Sequence, residues 1–249
     1  MIDRIQQLPV LGEVWQTTLG WQPNKKQQEQ FQKLYEEIII GNRQFNLTRI
    51  TEPREFWEKH LWDSLAGLSG LEIANELEAG QPLYVIDIGT GAGFPGIPIA
   101  IALPFWTVTL LDSTRKKMFF LSGLIAKLDL KNIQTLIGRA EEIGQNPLHR
   151  QAYDLALLRA VGEATVCAEY ALPLLKIGGL AILYRGHWDR KDNLSLQFAA
   201  EKLGGKIERV TEFVTPLSQS IRHCIYLRKM SPTPEQFPRA VGIPVQKPL

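Results

Sequence analysis

The sequence is poor in cysteine, and this limits the covalent chemistry open to the chain. Among its 249 residues only Cys167 and Cys224 are cysteines, and neither lies in a CxxC spacing. A disulfide-rich scaffold and a metal centre held by cysteines alone are therefore excluded. We expect both thiols to be buried and reduced, as in a cytoplasmic protein.

Long hydrophobic runs are also missing. No apolar stretch approaches the ~18 residues that a membrane-spanning helix needs. The longest, residues 94–106, is interrupted by three prolines and a glycine. The N-terminal residues have neither the basic start nor the apolar core of a signal peptide. The sequence thus predicts a cytoplasmic protein that has no contact with a membrane.

The chain has little net charge, but that charge is unevenly distributed. The formal charge of the whole chain is +2. Residues 222–249 contain five lysines or arginines and one acid, so this end carries +4 and residues 1–221 carry −2. A basic end on a near-neutral body favours contact with a polyanion, although a solvated tail would have the same composition.

The first 75 residues have helical patterns and no strand signal. Residues 24–41 carry apolar side chains at helical spacing, with Asn24 as the cap and Gly41 as the end of the helix. A second helix is predicted over residues 52–68, with Thr51 as its cap.

From residue 83 onward the pattern changes to alternating strands and helices. The predicted strands cover residues 83–88, 107–111, 133–137, 153–158, 180–184, 206–213 and 223–227, and helices are predicted over 114–128, 163–175 and 189–203. This alternation indicates βαβ units, a mostly parallel sheet and helices on both faces. A loop alone joins the last two strands, which we expect to pair as a hairpin with one antiparallel strand. The sequence therefore predicts an α/β, Rossmann-like fold with seven strands.

Three parts are predicted along the chain. They are a helical extension over residues 1–75, an α/β domain over residues 76–230 and a tail over residues 231–249. The tail contains five prolines. We expect it to be extended, partly polyproline-like and laid on a surface, without a helix.

A glycine-rich turn, DIGTGAGFPG from Asp87 to Gly96, follows the first predicted strand. Ligands of open α/β sheets bind at the carboxyl ends of the strands. Glycines 89, 91 and 93 allow the backbone to turn tightly and to approach a ligand without a Cβ in the way. Asp112 ends the second strand, where an acid can accept both hydroxyls of a ribose. Ala140 and Glu141 follow the third strand, where they can flank an adenine.

Two ligands compete for this turn. Glycines 91, 93 and 96 match the dinucleotide fingerprint GxGxxG. Glycines 89, 91 and 93, with Asp87 two residues upstream, fit S-adenosylmethionine, because the acid can hold the ammonium group of the methionine moiety. A carboxylate there would disfavour a pyrophosphate at the same helix N-terminus. Asp87 therefore favours S-adenosylmethionine, and an NAD(P)-dependent oxidoreductase is the alternative.

Several motifs together resemble one known family. They are Asn46-Leu47-Thr48, HLWDS from His60 to Ser64, DIGTGAGFPGIPIAI from Asp87 to Ile101, Leu111-Asp112-Ser113, Arg139-Ala140-Glu141, Leu158-Arg159-Ala160 and Arg222-His223. With these motifs, the sequence from about residue 45 to residue 229 resembles the ribosomal small-subunit methyltransferase G family, also called glucose-inhibited division protein B.

The resemblance implies a class I S-adenosylmethionine-dependent methyltransferase domain over residues 76–230. It implies transfer of a methyl group from S-adenosylmethionine to N7 of a guanine in 16S (small-subunit) ribosomal RNA, with S-adenosylhomocysteine as the product. The implied cofactor contacts are Gly89, Phe94, Asp112, Ser113, Thr114, Ala140, Glu141 and Arg159. Arg185 and Lys117 replace the lysine and the arginine found in many members, which changes the donor geometry at both positions.

The chemistry of the target needs no general base, since guanine N7 has a lone pair and no proton to lose. Arg159, at the end of the fourth predicted strand, is expected to position the target through guanine O6 or a phosphate. His60 and Asp63 share one helix face, either at the cleft or in the core. The predicted RNA contacts are Arg43, Arg49, Arg115, Lys116, Lys117, Arg185, Arg222, Arg239 and Lys247.

Beyond these residues, the sequence predicts no metal site. We expect a monomer that acts on small-subunit ribosomal RNA or on the ribosomal subunit. A non-enzymatic, RNA-binding ribosome assembly factor is a second alternative.

Overall fold

The computed structural model describes residues 6–69 and 82–249, which form a seven-stranded sheet with helices on both faces. The strands are β1 (Tyr84–Ile88), β2 (Thr107–Asp112), β3 (Ile133–Ile137), β4 (Tyr153–Arg159), β5 (Leu175–Arg185), β6 (Gly205–Val214) and β7 (Ile221–Lys229). Their order is β3-β2-β1-β4-β5-β7-β6. Strand β7 is antiparallel to both neighbours, and the other pairs are parallel. The predicted fold class is confirmed.

The central strands are apolar along their length because helices cover both of their faces. Val85 and Ile86 of β1 are both fully buried, yet they belong to two different clusters of core side chains on opposite sides of the sheet. Side chains alternate between the faces of a strand. A continuous apolar run is therefore what a strand of a doubly covered parallel sheet requires.

Helices α1 (Gly12–Leu19) and α2 (Lys25–Phe45) precede the sheet. Asn24 caps α2 as predicted, and its side chain accepts a hydrogen bond from the backbone N–H of Gln27. The prediction that Gly41 ends this helix is wrong, because α2 continues to Phe45 and ends at Asn46, which has a left-handed φ of 47°. A Cβ at Gly41 would lie 2.3 Å from Phe120, so the glycine permits close helix packing.

The second predicted helix is interrupted by a π-helical turn. It consists of α3 (Pro53–Phe56), the π-helical turn Trp57–Trp62 and α4 (Asp63–Ala66). Its cap is Glu52 and not Thr51, since the Glu52 side chain accepts from the backbone N–H of Glu55 at 2.8 Å.

The remaining helices among the described residues are α5 (Gly96–Ala102), α6 (Arg115–Lys127), α7 (Ala140–Gln145), α8 (Ala164–Ala171), α9 (Arg190–Lys202) and α10 (Ile243–Gln246). The prediction that the tail has no helix is wrong. Pro244 lies in the first turn of α10, where a missing backbone N–H leaves no helical bond unmade. Strand β5 begins at Leu175, before the predicted start, because Gly178 and Gly179 form an irregularity inside the strand.

The N-terminal helices and the sheet share one core. Trp15, Phe31 and Leu61 belong to the same cluster of buried side chains as Val85 of β1. The predicted boundary between residues 75 and 76 lies outside the described residues. Within residues 6–69 and 82–249, no helix is both long enough and apolar enough to cross a membrane.

Gly96 allows α5 to approach the central strands, and this can be tested. A Cβ there would lie 2.3 Å from Leu110 Cδ2 and 2.9 Å from Asp87 Oδ2. We expect Gly96→Ala to lower the free energy of unfolding in urea by about 1–3 kcal/mol through overpacking. Gly123→Ala in α6 is the matched control, because nothing lies within 4 Å of its Cβ position. It should be neutral or stabilise by up to about 1 kcal/mol. Equal effects of the two substitutions would contradict this interpretation.

Candidate functional site

A cleft of about 520 Å³ opens at the carboxyl ends of β1, β2, β3 and β4. The turn after β1 contributes residues 89–92 and Phe94, and the end of β2 contributes Asp112 and Ser113. Residues 138–141 follow β3 and residues 159–161 end β4. The parallel sheet therefore brings together the segments that the sequence analysis assigned to one ligand.

Eight of the predicted cofactor residues line this cleft: Gly89, Gly91, Phe94, Asp112, Ser113, Ala140, Glu141 and Arg159. Three others, Asp87, Gly93 and Thr114, do not. Thr114 instead donates its backbone N–H to Asp112 Oδ1 at 2.8 Å. A Cβ at Gly93 would lie 2.4 Å from Ile97 Cδ1, so this glycine serves the packing of α5.

Asp87 is fully buried at the end of β1. Its Oδ2 accepts hydrogen bonds from the Thr90 hydroxyl at 2.6 Å and from the Gly96 backbone N–H at 2.8 Å. Its Oδ1 is buried and has no hydrogen-bond partner among the described residues. Burial raises the pKa of Asp87 to about 6, although the bonds from Thr90 and Gly96 and the charge of Arg159 act in the opposite direction. A buried carboxylate oxygen without a partner fits a cationic ligand group.

Six backbone N–H groups of the glycine-rich turn are occupied by the chain itself. Those of residues 89 and 90 donate to the carbonyl of Leu111, and those of residues 93 and 94 donate to the carbonyl of Thr90. The N–H of Gly91 donates to Asp112 Oδ2, and that of Gly96 donates to Asp87. A dinucleotide pyrophosphate is held by such N–H groups at a helix N-terminus. In this chain the N–H groups already have partners within the protein. The carboxylate of Asp87 lies at the helix N-terminus, where the pyrophosphate would bind.

Two glycines of the turn face the cleft in a backbone conformation that favours glycine. Gly89 has φ 70° and Gly91 has φ 60°. A Cβ at Gly89 would approach Val161 Cγ2 to 3.0 Å, whereas the space around Gly91 is open toward the cleft. The turn therefore presents bare backbone to a ligand.

Arg159 links the sheet to the π-helical turn. Its Nη1 donates to the Lys59 carbonyl at 2.8 Å and to Asp63 Oδ2 at 3.0 Å. Its Nη2 lies 3.3 Å from His60 Nδ1, and its guanidinium lies 5.6 Å from the centre of the Phe94 ring. The unusual turn thus directs a backbone carbonyl and two side chains to one arginine at the cleft.

His60 lies inside the same cluster. Its ring stacks on Phe94 at 4.3 Å, and Nε2 lies 2.8 Å from the Thr48 hydroxyl. Burial, and after it the charges of Arg159 and Lys59, lowers the pKa of His60 to about 3. The imidazole is therefore neutral, with Nδ1 accepting from Arg159 and Nε2 donating to Thr48.

A second pocket of about 260 Å³ adjoins the cleft and shares Arg159 and Ala160 with it. Arg185 and Arg222 also line this pocket, together with Asp63, Tyr184, Gly186, Phe213 and His223. Arg222 Nε lies 4.0 Å from Asp63 Oδ1. Ala160 has φ 57°, a conformation uncommon for residues other than glycine. The second pocket is therefore rich in arginine and next to the cofactor-sized cleft.

The other predicted RNA contacts are scattered. Arg43, Arg49, Arg115, Lys116 and Lys247 are exposed, and Lys117 lines the cleft. Arg185 donates to the carbonyl of Gly162 at 2.6 Å. Arg239 is paired with the buried carboxylate of Glu169, so its charge is already compensated within the chain.

Both cysteines are buried and unpaired, as expected. Burial raises the pKa of Cys167 to about 11, which keeps it a thiol.

On the described surface, ligand atoms of His187, Asp189 and Asp192 lie within 4.8 Å of one another. The two carboxylates already cap α9.

Sequence reasoning assigned no role in the cleft to Gly138, Val161, Tyr170 and Val245, which all line it. Val161 lies two residues after Arg159, and Gly138 lies two residues before Ala140, so their places in the chain could have indicated them. Val245 had no such signal, because it lies in the proline-rich tail.

The chain is similar to known proteins in sequence and in fold. A sequence profile described as "rRNA small subunit methyltransferase G" matches residues 27–225. The chain is 61% identical over 242 residues to Ribosomal RNA small subunit methyltransferase G of Nostoc punctiforme, covering 97% of this chain and 98% of that protein. It is 51% identical over 238 residues to the protein of the same name from Gloeobacter violaceus, covering 96% and 92%. The solved CMeT domain of the citrinin polyketide synthase has the same fold, with a TM-score of 0.52 and 12% identity over 69% of this chain and 53% of that one.

The burial of Asp87 predicts a pH-dependent stability. The ordinary pKa of 3.8 is raised to about 6 on folding. Below pH 4 the carboxyl is protonated in the folded and the unfolded chain, so its ionisation does not affect stability. Above pH 6 it is ionised in both, and the full free-energy cost of a buried charge applies. We expect Asp87→Asn to gain up to about 3 kcal/mol over the unsubstituted chain between pH 4 and pH 7, measured by urea unfolding without ligand. A difference that does not change with pH would show that the Asp87 carboxyl is not the group responsible.

Proposed function

Since the chain belongs to the rRNA small subunit methyltransferase G family, we propose that it transfers a methyl group from S-adenosylmethionine to N7 of a guanine in small-subunit ribosomal RNA. The observation that carries this proposal is the pair of cavities that share Arg159 and Ala160. One cavity suits a nucleoside cofactor, and the other is lined by three arginines and suits a nucleotide of RNA.

The residues of the larger cleft fit S-adenosylmethionine. Asp87 is buried behind the lining of the cleft, so its partnerless Oδ1 would provide a counter-charge for the ammonium group through one water. The bare backbone at Gly89 and Gly91 allows close approach of the methionine part. Asp112, at the end of β2, would accept the ribose hydroxyls, and Ala140, the first residue of α7, would lie against the adenine. When bound, S-adenosylmethionine supplies an electrophilic methyl group on its sulfonium.

The side chains around the two cavities position the target guanine. Arg159 is held by the Lys59 carbonyl and Asp63, so its guanidinium has one fixed orientation between the cavities. From there it can donate to guanine O6 or to a phosphate. Neutral His60 adds no positive charge beside the reacting centre.

Catalysis consists of positioning, because N7 has no proton to remove. Aligning N7 with the methyl group and excluding water can contribute about 7–11 kcal/mol to the barrier reduction. The stacked rings of His60 and Phe94 exclude water on one side of the cleft. Arg159 is the residue we assign to the reaction itself, as a positioning group for the guanine.

Exposed basic residues are proposed to contact the RNA outside the pocket. They are Arg43, Arg49, Arg115, Lys116 and Lys247, with Lys117, Arg185 and Arg222 nearer the two cavities. One chain builds both cavities, which supports action as a monomer. A ribosomal RNA substrate supports a cytoplasmic location.

The oxidoreductase alternative is disfavoured by the occupied N–H groups of the turn and by Asp87 at the start of α5. The non-enzymatic alternative differs from the proposal because an assembly factor would bind RNA without methylating it.

A methylation assay tests the proposal. The protein is incubated with S-adenosylmethionine and with small-subunit RNA or intact small subunits from cells that lack this activity. The product is digested and analysed for 7-methylguanosine by mass spectrometry.

We expect 7-methylguanosine with the unsubstituted chain and, at limiting cofactor, ~10- to 100-fold slower formation with Asp87→Asn. The affinity for S-adenosylhomocysteine should fall ~10- to 100-fold in this variant, because a hydrogen bond to a charged group is lost. NAD should give no thermal shift in either protein. RNA binding without methylation at saturating cofactor would instead support the assembly factor.

Arg222 in the second pocket gives a separate test of RNA contact. We expect Arg222→Gln to weaken RNA binding and to flatten the log–log salt dependence by ~0.7–0.9, the change for one lost phosphate contact. Lys131→Gln makes the same change of charge before β3, at the opposite edge of the sheet, and should leave the slope unchanged. Filter binding over a salt series measures both, and equal slopes for the two variants would remove Arg222 from the RNA interface.

A further inference from the structure

The C-terminal tail reaches the cofactor cleft. Val245 of α10 lines this cleft, although 59% of its surface is exposed. We propose that residues 239–246 are part of the cofactor site: Val245 is an apolar contact for the bound nucleoside, and Arg239 and Gly242 are positioning residues that hold it there. This inference rests on the proposed function, because it assigns the tail to the same cleft.

An ion pair fixes the tail on the body of the protein. The backbone N–H of Arg239 donates to Glu169 Oε1 at 2.8 Å, and its Nη2 donates to Oε2 at 2.6 Å. Glu169 lies in α8 and is fully buried. A buried carboxylate needs such a partner, and a bidentate arginine defines its direction as well as its distance. Residue 239 therefore has one position relative to α8.

The segment before Arg239 is anchored independently of the cleft. The Arg150 guanidinium donates to the carbonyls of Gly144, Thr233, Pro234 and Phe237. Gln145 donates to the carbonyls of Glu235 and Pro238, and the Phe237 ring is buried. A chain that ends at Ala240 would keep all these contacts and the ion pair.

Glu141 joins the tail to the proposed adenine end of the cleft. Its Oε1 accepts the backbone N–H of Gly242 at 3.0 Å and the Tyr170 hydroxyl at 3.0 Å. Burial alone would raise the pKa of Glu141, but the bonds from Gly242 and Tyr170 and the charge of Arg139 outweigh burial and lower it. Glu141 is thus an ionised acceptor for the tail, and its carboxylate holds Gly242 three residues before Val245.

The exposed side chain of Val245 can be covered by a ligand bound in the cleft. A flat apolar group beside it would remove its side chain from water, and burial of a valine is favourable. Val241 is 47% exposed in the same tail but does not line the cleft. The two valines therefore form a matched pair, since only one of them faces the proposed ligand.

Calorimetric titration with S-adenosylhomocysteine tests the inference on the full chain, a chain ending at Ala240, and the variants Val245→Ser, Val245→Ile and Val241→Ser. We expect Val245→Ser to weaken binding ~3- to 10-fold, in keeping with the loss of about half of a valine burial. The shortened chain should bind at least as weakly as Val245→Ser. Val245→Ile and Val241→Ser should bind within about twofold of the full chain, because neither removes the apolar contact.

Two further readouts separate a cofactor contact from a general loss of stability. In methylation assays, Val245→Ser should raise KM for S-adenosylmethionine and leave kcat at saturation unchanged. Because coupling between sites is reciprocal, S-adenosylhomocysteine should slow hydrogen exchange at the Gly242 amide of the full chain.

The outcomes distinguish this inference from the function on which it rests. If the full chain binds S-adenosylhomocysteine and the shortened chain and Val245→Ser bind it equally well, the tail is not part of the site and the proposed function stands. If the full chain itself binds none, the proposed function fails and the inference fails with it. Equal weakening by Val241→Ser and Val245→Ser would also overturn it, since the effect would then not come from the cleft.

Discussion

The cleft depends on the hydrogen bonds that the buried carboxylate of Asp87 accepts from the glycine-rich turn. Asp87 lies one residue before the end of strand β1, and its bonds to the Thr90 hydroxyl and the Gly96 backbone hold both ends of the glycine-rich turn. The turn can close so tightly only because Gly96 has no Cβ to meet Asp87 and Leu110. The raised pKa of Asp87 shows that the fold retains a group that burial disfavours. Such a group is typical of sites that trade stability for ligand binding.

Arg159 provides the second organising contact, because it joins two parts of the chain that are 100 residues apart. The π-helical turn and the first residue of α4 place the Lys59 carbonyl, His60 and Asp63 around its guanidinium. The helical N-terminus is therefore more than a cover for one face of the sheet, since it sets the orientation of the arginine between the two cavities. The charge of Arg159 contributes in turn to keeping His60 neutral, so the electrostatics of the cleft depend on the same contact.

The basic composition of the tail does not by itself define what the tail binds. Its basic residues suggested contact with a polyanion, but Arg239 compensates the buried Glu169. The prolines keep most of the tail extended on the surface, while Arg150 and Gln145 bind its backbone carbonyls. The tail presents the apolar side chain of Val245 to the cleft, and this favours a role toward the cofactor for residues 239–246, while Lys247 beyond them stays exposed for RNA.

The sequence by itself determined the α/β fold, the succession of strands and helices along the chain, and the grouping of Asp87 and Asp112 at one edge of the sheet. These follow from periodicity and turn chemistry, which act over a few residues, and from the rule that parallel strands present their carboxyl ends at one edge. Only the tertiary structure decided that the Lys59 carbonyl binds Arg159 and that Val245 lines the cleft. Contacts between residues so far apart depend on how helices pack on the sheet, and no local pattern in the chain encodes that packing.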